Sequence, residues 1–338
     1  MLGVVLILVY CLNFCQAAAI NSSVVLSSDG GFTGPLIQKN ANTTMLIIGT
    51  TSGTRIPEQM LDFPGAAYGN EGPGALSQFG RRQSVGLGMA VRAFAQKLAK
   101  DSTQAEALSG SSQAVQDTMQ KVLETLYNNG TTPQASVNDQ MLQIEAVQGC
   151  AAYEQAYGPI RDETLPTMAA QFQKDQALAQ YVHQNTGWNC SLHSLTVLAD
   201  NLKLINLARS SYPDWINNCS LAGDTKETLI AKILTYSDYQ AKTCADYDPC
   251  RRLMAGVWLE HIVGLLDSVA DSSAPKIVLY AAETAPVMST MRLLGIQQAS
   301  LEAASGFMLE LRAQPASVRI LTHQPLLIDG HVFKQPIF

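Results

Sequence analysis

Charge is scarce in this 338-residue chain. Asp, Glu, Lys and Arg make up 15% of it, and 22 Lys and Arg face 28 Asp and Glu, a net charge of −6 with histidine neutral. No basic cluster is present to neutralise a phosphate backbone, which argues against a nucleic-acid binder. Disorder is excluded from the other direction: 47% of the residues are hydrophobic, enough to bury a large core. Histidine occurs only five times, at His183, His193, His261, His323 and His331. No two close cysteine pairs and no Cys/His cluster offer a zinc site. Gly72-Pro73-Gly74 is followed by no G-K-[ST] and follows no strand, so it is not a nucleotide loop. Internal repeats and low-complexity tracts are absent.

Long apolar runs are equally scarce. One opens at Leu2, runs through Tyr10 and ends near Cys15, before Ala17, Ala18 and Ala19. It is too short and wrongly flanked for a membrane span, and the alanines offer an A-x-A cleavage pattern before Ile20. Residues 1–19 therefore read as a signal peptide, although the α-amine is the only charge ahead of the run. The mature chain is expected to have no membrane span, and to be secreted or delivered to the lysosomal lumen; no sorting peptide chooses between the two. Five N-x-S/T sequons agree, at Asn21, Asn42, Asn129, Asn189 and Asn218, each expected on the surface if glycosylated. Of the seven cysteines, Cys11 and Cys15 leave with the signal peptide. Five remain, an odd number, so at least one thiol stays free or pairs between chains. The C-x5-C spacing of Cys244 and Cys250 permits a short-loop disulfide.

Residues 44–50 read as a buried strand, followed by a polar loop at 51–57 and a Gly- and Pro-punctuated stretch at 63–74. Helices are predicted over 76–100 and 111–126. From about 150 to 247 the pattern is helical throughout, with runs at 151–184, 191–207 and 225–242 and no period-2 strand. Leu192, Leu195, Leu198, Leu202 and Ile205 form an apolar stripe at helical spacing, read as core. Residues 251–267 are amphipathic, with Met254, Trp258, Ile262 and Leu265 on one side. A central strand is predicted at 276–280, a helix at 286–294, and an antiparallel pair at 307–311 and 318–321. Strand–helix alternation at both ends with a helical middle predicts an α/β fold: a three-layer Rossmann-like domain with a central, mostly parallel sheet and an inserted all-helical cap. The boundaries read 20–149 and 250–338 for the α/β domain and 150–249 for the cap.

Thr51-Ser52-Gly53-Thr54-Arg55-Ile56-Pro57 stands where the histidine acid phosphatases carry R-H-G-x-R-x-P. Three further stretches are similar to that family in the same order. Gly72 to Gly80 with Gln83, Leu87 and Gly88 resembles its G-x-L-T-x-x-G-x-x-Q-x-x-x-L-G segment. Tyr212-Pro213-Asp214-Trp215 and Arg251-Arg252-Leu253 through Ile262 resemble P-x-W and R-L-x-G-G-x-L-x-x-I. Tyr280-Ala281-Ala282-Glu283-Thr284 falls at its late catalytic strand end. The chain thus resembles the lysosomal and prostatic branch of the family, over nearly its whole mature length. The resemblance implies a phosphoglycerate mutase-like phosphomonoesterase fold, a site at the carboxyl ends of the strands, and no cofactor.

Residue by residue, the implied machinery is degenerate. The attacking histidine corresponds to Ser52 and the first phosphate-holding arginine to Thr51. The second arginine survives as Arg55. The third falls near Leu108, where no arginine exists. The late His-Asp pair corresponds to Glu283 and Thr284; on the register of phytase-like relatives, which carry H-A-E-T, the histidine is Ala281 and the acid Glu283. A serine hydroxyl needs a base or a metal to attack phosphorus. Each missing preorganised contact costs about 2.7–4 kcal/mol of transition-state stabilisation in comparable sites. A secreted, catalytically inactive relative acting as a binding or interaction module is the expectation; the alternative is an acid phosphatase of weak or altered mechanism. Arg55 has two readings: a residual phosphate or anion contact, or an ion pair with Glu283, the favoured one, with Glu58 as second partner. Partners are expected to be a phosphorylated small molecule or anion, and a second copy or an active paralogue, since family relatives dimerise. The family pairs a cysteine at the position of Cys150 with one near the C-terminus that this chain lacks.

Overall fold

The computed structural model describes residues 41–62, 68–128, 131–268, 271, 273–313, 316–324, 327–328 and 331–332. The expected signal peptide, Asn21 and Asn129 lie outside them. Asn42, Asn189 and Asn218 are exposed. Among the described residues no helix is long and apolar enough to cross a membrane.

The chain enters through β1 (Thr43–Thr51) and passes along α1 (Gln78–Ala95) to β2 (Ala105–Ser109). It then runs through α2 (Gln113–Leu126), β3 (Ser136–Val137) and α3 (Asp139–Leu142). Six helices follow: α4 (Ala151–Arg161), α5 (Pro166–Thr186), α6 (Leu192–Ala208), α7 (Asp214–Asn217), α8 (Lys226–Leu234) and α9 (Tyr239–Asp246). The long α10 (Asp248–Ser268) leads back to β4 (Ile277–Ala282), α11 (Thr284–Leu293), β5 (Gly306–Ala313) and β6 (Ala316–His323). The main sheet has the order β3-β2-β4-β1-β5-β6. Its first four strands are mutually parallel, and β5 runs antiparallel to both neighbours.

Strand alternation builds the three layers. Successive side chains of a strand point to opposite faces. On one face Leu46, Ile48, Leu279 and Ala281 meet Leu87, Val91 and Phe94 of α1 and Val115, Met119 and Val122 of α2. On the other, Met45, Ile47, Val278 and Tyr280 meet Trp258 and Ile262 of α10 and Val287 and Met291 of α11. Near-continuous apolar runs are what a parallel sheet covered on both sides requires. Gly49 is small for a reason of packing: a Cβ there would lie 2.4 Å from the Phe307 ring.

Helices α4 to α9 form the cap, whose apolar cluster also takes in Ile56, Leu61, Phe79 and Met254. The stripe Leu192, Leu195, Leu198, Leu202 and Ile205 is fully buried in it, beside Leu229, Ile233 and Trp188. Two predicted runs are broken. Residues 151–184 divide where Pro166 opens α5, a position that suits proline because no intrahelical donor is lost there. Residues 225–242 divide at Asp238, which adopts φ 57°, a left-handed turn that aspartate tolerates. Cys244 and Cys250 form the expected disulfide, with Cα atoms 5.1 Å apart, at the corner between α9 and α10. Cys150, Cys190 and Cys219 are free thiols.

Asn201, in the middle of α6, ties the cap to the segment after the polar loop. Its amide donates to the Gln59 and Val197 carbonyls at 2.9 and 2.8 Å, and its oxygen accepts from the Leu61 N–H at 3.1 Å and from the Tyr68 hydroxyl. The side chain is fully buried, so a substitution that removes it strands several polar groups at once. Asn201→Leu is expected to lose about 1–3 kcal/mol of stability, read as a lower urea midpoint; an unchanged midpoint would show that the clamp is not holding.

Candidate functional site

Parallel pairing brings three loops to one edge of the sheet. Thr51 lies opposite Ala282, and Ser109 opposite Ala281, so the segments leaving β1, β2 and β4 emerge side by side. This carboxyl edge is where open α/β sheets place their sites.

The loop after β1 is held rigidly. Ile56 N–H donates to Ala75 O at 2.8 Å, Ser77 N–H to Thr54 O at 3.0 Å and Gly74 N–H to Ile56 O at 2.9 Å. Thr54 N–H donates to Gln83 Oε1 at 2.8 Å. Gly53 lies against the first turn of α1, where a Cβ would come within 2.5 Å of the Gly80 backbone. Ser77 caps that helix by accepting from Gly80 N–H and also donates to Thr54 O at 2.7 Å. The similarity to the family's G-x-L-T-x-x-G segment therefore falls on the residues that brace the loop.

Within the loop, the positions matched to the arginine and histidine do other work. The Thr51 hydroxyl is buried and turns away to the Glu302 and Ser305 carbonyls, at 3.2 and 3.3 Å. Its partners belong to a segment some 250 residues away rather than to the local backbone. Ser52 O accepts from Ala304 N–H at 2.8 Å. Among the described residues no side chain lies within hydrogen-bonding distance of the Ser52 hydroxyl, so no base is there to activate it. Four histidine side chains are described, and each is engaged elsewhere: His183 with Trp188 O, His193 with Gln240, His261 with the Tyr280 hydroxyl, His323 with Gly49 O.

Arg55 pairs with Glu283. Its Nη1 lies 3.0 Å from each carboxylate oxygen. Ser112, the N-cap of α2, donates its hydroxyl to Glu283 Oε1 at 2.8 Å. The carboxylate of Glu283 holds the Arg55 guanidinium above its ordinary pKa, and Asp200, Glu58 and Asp238 add to the effect from farther off. Glu58 is exposed and serves only in this remote way. Leu108 is not at the site: it is buried in the core beneath, and the residue its segment sends to Glu283 is Ser112. A β-strand side chain alternates into the core, whereas the N-cap after the strand points out of the sheet edge. Ala281 is likewise buried in the core, while Thr284 opens α11 and lines the cleft.

That cleft, of about 730 Å³, lies between the loop after β1, the 299–303 segment and the cap helices α6, α8 and α9. Its cap side carries Asp200, Lys203, Asp238 and Lys242, none of them singled out by the sequence. Lys203 pairs with Asp238 at 3.4 Å. Burial, which lowers the Lys203 pKa, is its largest single influence and is outweighed by Asp238, Asp200 and Glu302 together. Burial, with Asp238 beside it, pushes the Asp200 carboxyl up to about 6. Glu145, although exposed, is pushed upward by partial desolvation, with Glu283 and Asp139 adding repulsion. The only available signal for Asp200 and Lys203 was their three-residue spacing on a helix, which reads as a solvated face. Among the described residues no group of three or more metal-ligating side chains is present.

Neither a protein-family model nor a curated protein sequence matches the chain. Solved structures do. The phytase of Klebsiella sp ASR1 is 13% identical with a TM-score of 0.58, over 86% of this chain and 85% of that one. The apo phytase of Hafnia alvei is 13% identical with a TM-score of 0.60, over 84% and 85%. The multiple inositol polyphosphate phosphatase of Bifidobacterium longum, in complex with inositol hexasulfate, is 13% identical with a TM-score of 0.57, over 88% and 94%. At such identities the likeness is one of fold, and the chain has the histidine acid phosphatase fold: a mixed, mostly parallel six-stranded sheet with a helical cap.

Proposed function

We propose that this chain is a divergent member of the histidine acid phosphatase family, of its lysosomal and prostatic branch, that no longer hydrolyses phosphomonoesters and serves as a secretory-pathway binding or interaction module. The carrying observation is the pairing of Arg55 with Glu283 beside a serine that, among the described residues, has no base. Phosphoryl transfer depends on positioning and on charge stabilisation of the transferred group. Here the one cation of the loop faces a carboxylate, the neighbouring hydroxyl of Thr51 is tied to backbone carbonyls, and among the described residues Ser52 has no partner to take its proton. A phosphate dianion entering the loop would meet Glu283 as well as Arg55. Exposure of Asn42, Asn189 and Asn218 is consistent with a glycosylated chain, and association with a second copy or an active paralogue belongs to the same reading.

Purified protein is expected to release no more phosphate from p-nitrophenyl phosphate or phytate, from about pH 4 to pH 7, than its Arg55→Ala variant does. Turnover that Arg55→Ala abolishes would sink the reading. An acid phosphatase of altered mechanism would need a proton donor near Arg55 and Glu283, and Glu145, whose carboxyl is pushed upward although the residue is exposed, is the group that could serve. That alternative requires turnover lost in Glu145→Gln, in the same assay.

A further inference from the structure

The cleft holds six charged residues, and their pairing is lopsided. Arg55 is taken by Glu283, which stands behind it outside the cleft lining. Lys203 is paired with Asp238, and Lys242 lies 2.9 Å from Asp246. Every cation of the lining thus has a carboxylate partner. Two carboxylates do not have a donor. Among the described residues nothing hydrogen-bonds the side chain of Asp200, on the cap wall, or of Glu302, on the opposite wall. Asp200 is partly buried in the cap wall while Glu302 is exposed to solvent, and a carboxylate partly withdrawn from water without a donor is held at a cost that a bound cation relieves. The rest of the polar lining is uncharged: Ser52, Thr54, Thr235 and Ser237 present hydroxyls, and Gln83 and Asn206 amides. The volume lies within the range of small-molecule sites.

We propose that this cleft binds a small hydroxylated organic cation, of the amino sugar or aminocyclitol class, with an ammonium group on Asp200 and Glu302 facing it from the other wall. A phosphorylated ligand is disfavoured because, among the described residues of the lining, every cation already has a carboxylate partner. A metal ion is disfavoured because, among the described residues, no three metal-ligating side chains gather there. Hydroxyls of the ring would donate to the Thr54, Thr235 and Ser237 oxygens, whose own protons go to Gln83, the Lys232 carbonyl and Asp238, while the Ser52 hydroxyl can donate or accept. The proposal rests on the reading of this site as one that binds without hydrolysing, and it names the ligand class.

Isothermal titration of the full chain near pH 7.5 tests it with three probes of similar ring size: deoxystreptamine, its di-N-acetyl derivative and phytate. Deoxystreptamine is expected to bind at least about tenfold more tightly than the acetylated form, which keeps the hydroxyls and loses the charge. Asp200→Asn is expected to weaken it by at least about tenfold, a loss of about 1.4 kcal/mol, and Glu302→Gln by less. The two substitutions lie on opposite walls, so misfolding of one variant leaves the other to report, and circular dichroism checks both. Equal binding of charged and acetylated forms, tighter binding of phytate, no binding of deoxystreptamine, or indifference to both substitutions would overturn the proposal. Phytate bound without turnover would end this inference alone; Arg55-dependent turnover of phytate would end the reading beneath it.

Discussion

Replacing Glu310 by alanine is expected to destabilise the protein by about 3–5 kcal/mol, the usual consequence of removing one member of a buried ionic cluster. Glu310 sits on β5, between β1 and β6, with no solvent exposure. Its carboxylate accepts from the Thr43 hydroxyl and pairs with Arg312 at 3.2 Å and with Arg319, its cross-strand neighbour on β6. The alanine variant removes the buried carboxylate that Arg312 and Arg319 share. The measurement is the urea midpoint of wild type and variant, compared at equal m-value. A companion variant separates charge from packing. Changing Glu310, Arg312 and Arg319 together to leucine removes the desolvation penalty with the charges and is expected to recover most of the loss. A single-variant loss below about 1 kcal/mol would show that the cluster contributes little.

Acidification is expected to weaken the fold through His323, by about 2–3 kcal/mol between pH 7 and about pH 4.5. The ring is fully buried at the end of β6, with Nε2 3.1 Å from Gly49 O. Burial lowers its pKa to about 4, against a smaller opposing pull from the carbonyls of Gly49 and Ala304. An unfolded histidine titrates near 6.5. Above that value both states are neutral and nothing is lost. As pH falls from about 6.5 towards 4, the unfolded chain binds a proton that the folded chain refuses, so stability drops through that window. Asp200 and Glu145 act in the opposite sense: their raised carboxyl pKa values make the folded chain hold the extra proton, which favours folding as pH falls. The histidine contribution is therefore isolated by comparison with His323→Asn, which does not titrate and can still donate to Gly49 O. The stability difference between wild type and variant should shrink as pH falls; a difference independent of pH would assign the acid sensitivity elsewhere. Of the two destinations considered for the chain, an acidic lumen is the one in which this penalty operates.

Most of the fold was legible locally. The apolar run predicted at 44–50 is β1, Thr43–Thr51, and the pair predicted at 307–311 and 318–321 is the β5–β6 hairpin, Gly306–Ala313 with Ala316–His323. The helical stripe of 192–205 is the spine of the cap. The strand β2, Ala105–Ser109, escaped notice. It is five residues long, carries Glu106 as its second residue and has no β-branched residue, so nothing in it favours a strand until β4 pairs along it. Periodicity cannot announce such an element, because its stability is borrowed from its neighbour.

The site divides the same way. Sequence alone identified the loop 51–57, the loss of its imidazole and of one guanidinium, the survival of Arg55, and Glu283 as a candidate to face it, because these are matters of residue type at positions in a motif. It also determined the layered α/β architecture with a helical middle, since hydrophobic period is a local property of the chain. Which carboxylate Arg55 meets, that Ser112 rather than the Leu108 position stands beside it, and that Asp200 and Glu302 flank the cleft without donors were decided only by the folded chain. Arg55 and Glu283 are 228 residues apart, and Ser112 and Glu283 are 171 apart. Contacts at such separations depend on strand order and register, which bring distant segments to one sheet edge, and no local pattern encodes them.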